Sequence, residues 1–484
     1  MAEVVILGAG VSGHTAALHL RRLLGREHKI TVVSPNSQWN WIPSNIWVGV
    51  GEMAKQDVIF PLAPVYARKH IGFRQAKAVA IRPKGDRDDS RGAVDIEYTS
   101  PDASGSTERL RYDYLINATG PRLRFEATEG MGPGGYTESV CTADHAVEAN
   151  ARLREVIEVL KTGKPQTLVV GMGHGTCTCE GAAFEYVFNV DHELRQAGVR
   201  DLARVVYLTN EAALGDFGVD GMVFDQQGFQ TTSELWTGSL FRERGVEAIL
   251  GAHVGKVEER TIHYETLDGT THNLEFDFAM LIPPFGGVPL KAYDADDNDI
   301  TSELFAPSGF MKVDADYTAK PYEEWRAEDW PTTYAAPGYD NIWAAGIAFA
   351  PPHQISRPRK TPNGTVIAPS PPRTGMPSGV MGKTVALTIA DRIRRGPSAA
   401  PHTASMARMG AACVASAGTG LTRGSAAAMT MLPVVPDYQR FATGRDERET
   451  RGELGLHGHW VKLMLHYLFL YKAKAHLGWQ FIPE

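Results

Sequence analysis

The sequence predicts an α/β chain: two Rossmann-like dinucleotide-binding domains followed by a C-terminal amphipathic helical region. Three observations predict it. A glycine-rich turn follows an apolar strand at Gly8, a second follows another apolar strand at Gly171, and apolar residues keep helical spacing from Gly455 onward. A chain of 484 residues is too long for one hydrophobic core. The expected division is residues 1–125 with 330–395 as the first nucleotide domain, 126–329 as the second, and 396–484 as the C-terminal region.

The first fold opens on Val4-Val5-Ile6-Leu7, then Gly8-Ala9-Gly10-Val11-Ser12-Gly13, then a helical pattern through Leu20. Gly8 permits the tight turn, Gly10 lets backbone approach a pyrophosphate, and Gly13 lets helix and strand pack closely. The helix N-terminus offers unpaired N–H groups to the phosphate. A second strand, Lys29–Ser34, ends in serine where an acidic residue normally holds the adenosine ribose, so the Ser34 hydroxyl is the expected ribose partner. Two later segments return to the same site. One is Tyr112–Pro121, with Thr119 and Gly120 at its turn. The other is Asn341–Gly346, followed by Ile347 where an aspartate is usual, which leaves backbone N–H groups at Gly346 and Ile347 to serve the phosphate. Three segments in this order favour FAD over NAD.

The second fold reads Thr167-Leu168-Val169-Val170-Gly171-Met172-Gly173-His174-Gly175, a helix through Tyr186 and a strand at Arg204–Thr209. In pyridine-nucleotide disulfide reductases this fold holds NAD(P)H. Here the turn runs into Thr176-Cys177-Thr178-Cys179, an unusual lining for a pyrophosphate. Glu211, just past the next strand, remains a candidate partner for an NAD ribose.

Composition narrows the function. A net charge of -7 argues against nucleic-acid binding. Four cysteines, Cys141, Cys177, Cys179 and Cys413, are too few for a disulfide-stapled scaffold and point to chemistry. The chain enters a strand almost at once, so no signal peptide is expected. No metal-ligand spacing and no run of about 20 apolar residues is present.

Several segments in order resemble sulfide:quinone oxidoreductases and, in part, the related flavoprotein subunit of flavocytochrome c sulfide dehydrogenases. They are Gln38–Gly51, with Pro43-Ser44-Asn45 near the flavin ring; Ser139–Ala146, with Cys141 and His145; Cys179–Glu185; Leu281–Gly287; and Ala411–Ala415 around Cys413. The resemblance implies FAD as cofactor, sulfide and a lipid quinone as substrates, a homo-oligomer, and a peripheral, monotopic membrane location. It makes Cys179 and Cys413 a redox pair that forms a disulfide above the flavin. Cys141 is then the third thiol, which in some family members bonds the flavin covalently. His145 and Glu180 are the candidate proton handlers.

The chemistry suits these residue types. Hydrosulfide attack on a disulfide gives a persulfide and frees the other thiolate, which can pass two electrons to a flavin. Cys177 has no counterpart in the family and reads as a small packed residue. The chain departs from the family pattern at Asp216, where histidine is common, at Arg373, where lysine is usual, and in a longer Pro-rich stretch from Pro351 to Pro372. A single-subunit NADH:quinone oxidoreductase, or a sulfide dehydrogenase donating to a cytochrome, shares the fold and stands as the alternative; an assembly role without catalysis is a further one.

In the tail, Val461, Leu465, Leu468 and Phe469 keep helical spacing, interleaved with Lys462, Lys472 and Lys474. Trp460, Tyr467, Tyr471, Trp479 and Phe481 add aromatic side chains suited to a headgroup interface. An interfacial helix pair is expected, with residues 396–408 as a linker or mobile loop before it and residues 86–109 as a solvated hairpin.

Overall fold

Short apolar runs bounded by glycine turns form the parallel strands of two sheets, both covered on two faces, which is why the strands are apolar throughout rather than alternating. The computed structural model describes residues 1–484 apart from Gln227, Thr374, Thr419 and Arg423, and Gln226 by its backbone only. In the first sheet the parallel strands run in the order Ile342–Ala344, Tyr114–Asn117, Glu3–Leu7, Lys29–Ser34 and Gly72–Arg82. Ala93–Tyr98 and Thr107–Arg111 extend it antiparallel. The second sheet is wholly parallel, in the order Val246–Ile249, Ala203–Leu208, Gln166–Met172 and Phe278–Ile282.

Helix Val11–Leu23 leaves the first glycine turn and packs against helix Gly375–Arg395, and a Cβ at Gly382 would collide with the Ser12 carbonyl oxygen. Glycine is therefore what lets these two helices touch. Helix Glu180–Gln196 leaves the second turn, and almost its whole length is buried. It is wedged between the second sheet and a third, antiparallel sheet of Ala411–Ala417, Ser425–Met431 and Arg451–Leu454. The first two strands of that sheet are rich in alanine, so the C-terminal helix Leu456–Ala473 approaches closely; a Cβ at Gly458 would lie 3.2 Å from Ala426 Cβ.

Three sequence expectations change. The tail from Gly455 is one helix followed by a short 3-10 turn at Trp479–Phe481, not a helix pair, and a three-stranded sheet precedes it within the C-terminal region. Residues 396–408 are anchored: the His402 N–H donates to Thr388 Oγ1 at 3.0 Å, Ala404 N–H donates to the Thr332 carbonyl at 2.9 Å, and Met406 is fully buried. The segment's proline, alanine and serine content reads as a linker, but these anchors are donated by its backbone N–H groups and so leave little trace in composition. Finally, Lys462 and Lys472 face inward, 7% and 4% exposed. Among the described residues no helix is long and apolar enough to cross a membrane.

Candidate active site

The first glycine turn is built for a dinucleotide. Gly8 has φ +96°, and a Cβ there would strike the Ala118 backbone; a Cβ at Gly13 would strike the Gly8 carbonyl oxygen. These two glycines hold the turn, strand and helix together. At Gly10 an added Cβ meets nothing within 4 Å, and no side chain caps the helix that begins at Val11. The helix therefore keeps its N–H groups and open space where a pyrophosphate belongs. Gly120, with φ +73°, also faces open space. Thr119 donates its hydroxyl to Asn117 at 2.9 Å. Ser34 is buried at the strand end, its oxygen accepting from Asn36 N–H at 3.3 Å. Gly346, with φ +68°, brings the return segment beside Ser12, and the Ile347 carbonyl accepts from Arg373 at 3.1 Å. The donor set and the open space fit FAD.

Pro43 stands in the 3-10 turn Ile42–Ser44, which runs into the short helix Asn45–Gly49. Ser44 and Asn45 shape this wall from behind. The Ser44 hydroxyl pairs with His466 Nδ1 at 2.8 Å, and the Asn45 amide donates to the Asn40 side chain at 3.0 Å and to the Val140 carbonyl at 3.2 Å. Their side chains are spent on the protein, and the bond to Val140 sets Cys141 against this loop.

The second glycine turn is closed by its own chain. Met131 Sδ occupies the place of a Gly173 Cβ, and the Val366 carbonyl oxygen lies 2.5 Å from the place of a Gly175 Cβ. Ala368 N–H donates to the Gly175 carbonyl and Ser370 N–H to the Cys177 carbonyl, each at 2.8 Å. The end of the Pro-rich stretch thus lies across the cradle. Glu211 is fully buried, and its carboxylate accepts from Tyr207, Thr209 and the Phe217 N–H at 3.1, 2.8 and 2.8 Å. It does not point outward as an NAD ribose partner must.

Cys179 sits in the left-handed region, φ 74° and ψ 36°, as the residue that starts helix Glu180–Gln196. Such a conformation costs a β-carbon residue on the order of 1–3 kcal/mol. Strand Ala411–Ala417 carries Cys413 to the same helix: Cys413 Sγ is 2.5 Å from where a Gly181 Cβ would project. Cys413 Sγ therefore stands against the first turn of the helix that Cys179 begins, although the two residues are far apart in sequence. All four cysteines are free thiols in this structure. Burial pushes Cys179 and Cys413 up to about 12 and Cys141 up to about 11. Cys177 is fully buried and donates to the Ile282 carbonyl at 3.0 Å, a packed residue.

His145 lies in the first turn of helix Ala143–Lys161, which Thr142 caps. Its ring meets Phe125 edge-on at 5.8 Å between centroids, its Nδ1 is buried without a partner, and burial lowers its pKa, keeping it neutral. Glu180 is fully buried, and burial with the Glu211 and Asp216 carboxylates raises its pKa well above the usual carboxylate range.

Sequence reasoning overlooked two groups. Glu185 and Lys462 form a buried ion pair at 2.8 Å, and both act electrostatically on Cys413. Arg373 is buried, donates to the Ile347 and Phe349 carbonyls, and lies over the Phe310 ring at 4.5 Å, where Cys179 feels its charge. A lysine among apolar tail residues was the available signal for the first; Arg373 had been noticed only as a departure from a pattern.

An open nucleotide turn beside a closed one, with thiols at the helix between them, defines an oxidoreductase of the two-dinucleotide-fold class. The chain belongs to the pyridine nucleotide-disulphide oxidoreductase family, whose model matches residues 2–289. It is 29% identical over 474 residues to the sulfide-quinone reductase of Aquifex aeolicus, covering 98% of this chain and 91% of that one. The crystal structure of the Aquifex aeolicus sulfide:quinone oxidoreductase superposes with a TM-score of 0.75 at 27% identity, over 98% of this chain and 92% of that one. The NDH2 of Plasmodium falciparum in complex with NADH shares the fold at 13% identity, with a TM-score of 0.63 over 98% and 96% of the two chains.

Proposed function

We propose that this chain is an FAD-dependent sulfide:quinone oxidoreductase in which Cys179 and Cys413 receive sulfide. One observation carries the reading: Cys413 is delivered against Gly181, two residues from Cys179, while the neighbouring cradle that an NADH-oxidising relative needs is filled by Met131 and Val366. NADH oxidation has no use for the first arrangement and is obstructed by the second.

In the oxidised enzyme the pair forms the disulfide. Sulfide attacks one sulfur, a new S–S bond forms, and the other sulfur leaves as a thiolate. FAD would be held by Gly8, Gly10, Gly13, Ser34, Gly120 and the Gly346–Ile347 backbone, and when bound would supply a two-electron acceptor between the thiols and a quinone. The chain's own residues set the protonation. Burial favours neutral thiols, and at Cys413 the Glu185 carboxylate raises the pKa further while its partner Lys462 lowers it by less. Cys141, set against the Pro43–Asn45 loop, is the candidate flavin tether.

Membrane contact follows from the tail. Trp460, Met464, Tyr467 and Tyr471 point outward, 49%, 52%, 64% and 41% exposed, while Lys462, His466 and Lys472 point inward. Ile42, Leu477 and Phe481 are also exposed. A helix that buries its bases and exposes its rings suits an interfacial location through which a lipid quinone reaches the flavin, the protein remaining peripheral.

Anaerobic spectra test the function. Sulfide is expected to bleach the flavin of the wild-type protein and NADH to leave it oxidised; the reverse pattern overturns the reading. Cys413→Ser is expected to keep its FAD yet lose sulfide-dependent bleaching at least a hundredfold.

A further inference from the structure

We propose that Glu180, Glu211 and Asp216 form a proton outlet that leads from the Cys179 side of the thiol pair to a surface groove, separate from the Glu185–Lys462 pair on the Cys413 side. The inference rests on the sulfide reading above and adds the route by which the substrate's proton leaves.

The geometry is a chain of acids on three elements. Glu180 follows Cys179 in the first turn of the buried helix, and neither of its carboxylate oxygens has a well-formed hydrogen bond among the described residues. One oxygen lies 3.2 Å from the place of a Gly218 Cβ, so the side chain is aimed at the loop that follows Glu211. Glu211 hangs below strand Ala203–Leu208, held by Tyr207, Thr209 and the Phe217 N–H. Tyr207 Oη lies 3.1 Å from Glu211 Oε2 and 3.3 Å from the Glu180 backbone carbonyl oxygen, which ties the start of the buried helix to Glu211. Asp216, on the loop itself, accepts from Ser356 and from the Gly218 N–H at 2.9 Å. It also lines a groove of about 380 Å³ with Asp220, Arg359, Tyr438 and Arg445.

The groups that face this chain set its protonation. Cys177 and Cys179 face Glu180 from the turn side, Tyr207, Glu211 and Asp216 face it from the loop, and Asp220 and Arg445 stand at the groove end. Burial is the largest cause of a raised pKa at each of the three acids, and the neighbouring carboxylates raise it further. Glu211 reaches about 7. Glu211 so tuned takes up and releases a proton near neutral pH, as an acid with an ordinary pKa would not.

The step balances as follows. Hydrogen sulfide attacks the disulfide; one S–S bond forms, one breaks, and the leaving sulfur departs as a thiolate holding the electron pair destined for the flavin. One sulfide proton stays on the persulfide or follows later; the other is released, to Glu180 and then through Glu211 and Asp216 to solvent. A helix N-terminus beside a carboxyl would be unremarkable alone. The independent observation is a fully buried Glu180 carboxyl, without a well-formed hydrogen bond among the described residues and with only the Asn210 amide beside it, aimed along a route that ends in open solvent.

The test is stopped-flow sulfide reduction of the flavin in the FAD-loaded protein from pH 6 to 8.5, with Glu180→Gln, Glu211→Gln and Asp216→Asn. FAD content and thermal melting verify that each variant folds. Glu180→Gln is expected to slow flavin reduction at least tenfold and to steepen its dependence on pH. Asp216→Ala, at the open end, is expected to recover rate on addition of formate, which a purely structural role would not allow. Wild-type rates and pH profiles in Glu180→Gln and Asp216→Asn overturn the outlet while leaving the sulfide reading intact. Should the wild-type flavin fail to bleach with sulfide at all, the sulfide reading falls, and the outlet with it.

Discussion

At the scale of single residues, the thiols are held unlike free cysteines. Burial raises Cys179 and Cys413 to about 12, although Cys179 begins a helix whose N-terminus ordinarily favours a thiolate. Desolvation wins over the dipole here. Because the thiolate is the reactive form, the reduced protein at pH 8 should be alkylated roughly a thousandfold more slowly at these positions than an exposed cysteine of pKa about 8.5. The rate should rise about tenfold per pH unit up to pH 10, since each unit multiplies the thiolate fraction by that factor. Peptide mapping after iodoacetamide treatment of dithiothreitol-reduced protein measures both; a flat profile, or rates near free cysteine at pH 8, contradicts the burial. Residue identity alone could not have revealed this. The sequence places Cys179 at a turn, but the walls that dehydrate it come from the third sheet, far along the chain.

At the scale of elements, what was legible was local. Strand–glycine-turn–helix units at Gly8 and Gly171 read correctly because the turn geometry leaves few residues able to serve, as the collisions at Gly8 and Gly13 show. What was not legible was which face of the last helix turns inward. Lys462 in a helical pattern looks solvated, yet Glu185, itself on a buried helix, provides a partner that only tertiary packing supplies. That pair is central to the joint of four elements: Lys462 Nζ also lies 5.8 Å from the Trp47 ring, and Glu185 accepts from the Ser416 N–H at 3.2 Å. Lys462→Met leaves a buried carboxylate uncompensated and should destabilise the protein by about 3–5 kcal/mol in denaturant unfolding. Adding Glu185→Gln should recover most of that loss. A double variant as unstable as the sum of the singles would show that the lysine matters for packing alone.

At the scale of the whole molecule, charge and aromatic placement divide the surface. Exposed aromatic and aliphatic side chains gather on the outer face of Leu456–Ala473 and at Ile42, Leu477 and Phe481, while Ser44 and Tyr186 tie the flavin-side loop to the interior, through His466 and the Gly49 carbonyl at 2.8 and 2.9 Å. The apolar face and the Pro43–Asn45 loop are therefore tied into one corner, where under the proposed function a lipid-soluble acceptor would enter. If this corner seats on lipid, replacing outward residues should remove membrane affinity without touching sulfide chemistry. Met464→Lys with Tyr467→Glu changes two exposed positions that make no contact with the cysteines. In flotation with phosphatidylcholine–phosphatidylglycerol vesicles, the wild-type protein should rise with the lipid and the double variant should stay in the soluble fraction. Sulfide-dependent flavin bleaching in detergent solution should be equal in the two, while turnover with a long-chain quinone embedded in vesicles should fall at least tenfold. Equal flotation of both proteins would move the lipid contact away from this helix, and a parallel loss of bleaching would mean that the substitutions had disturbed the site itself.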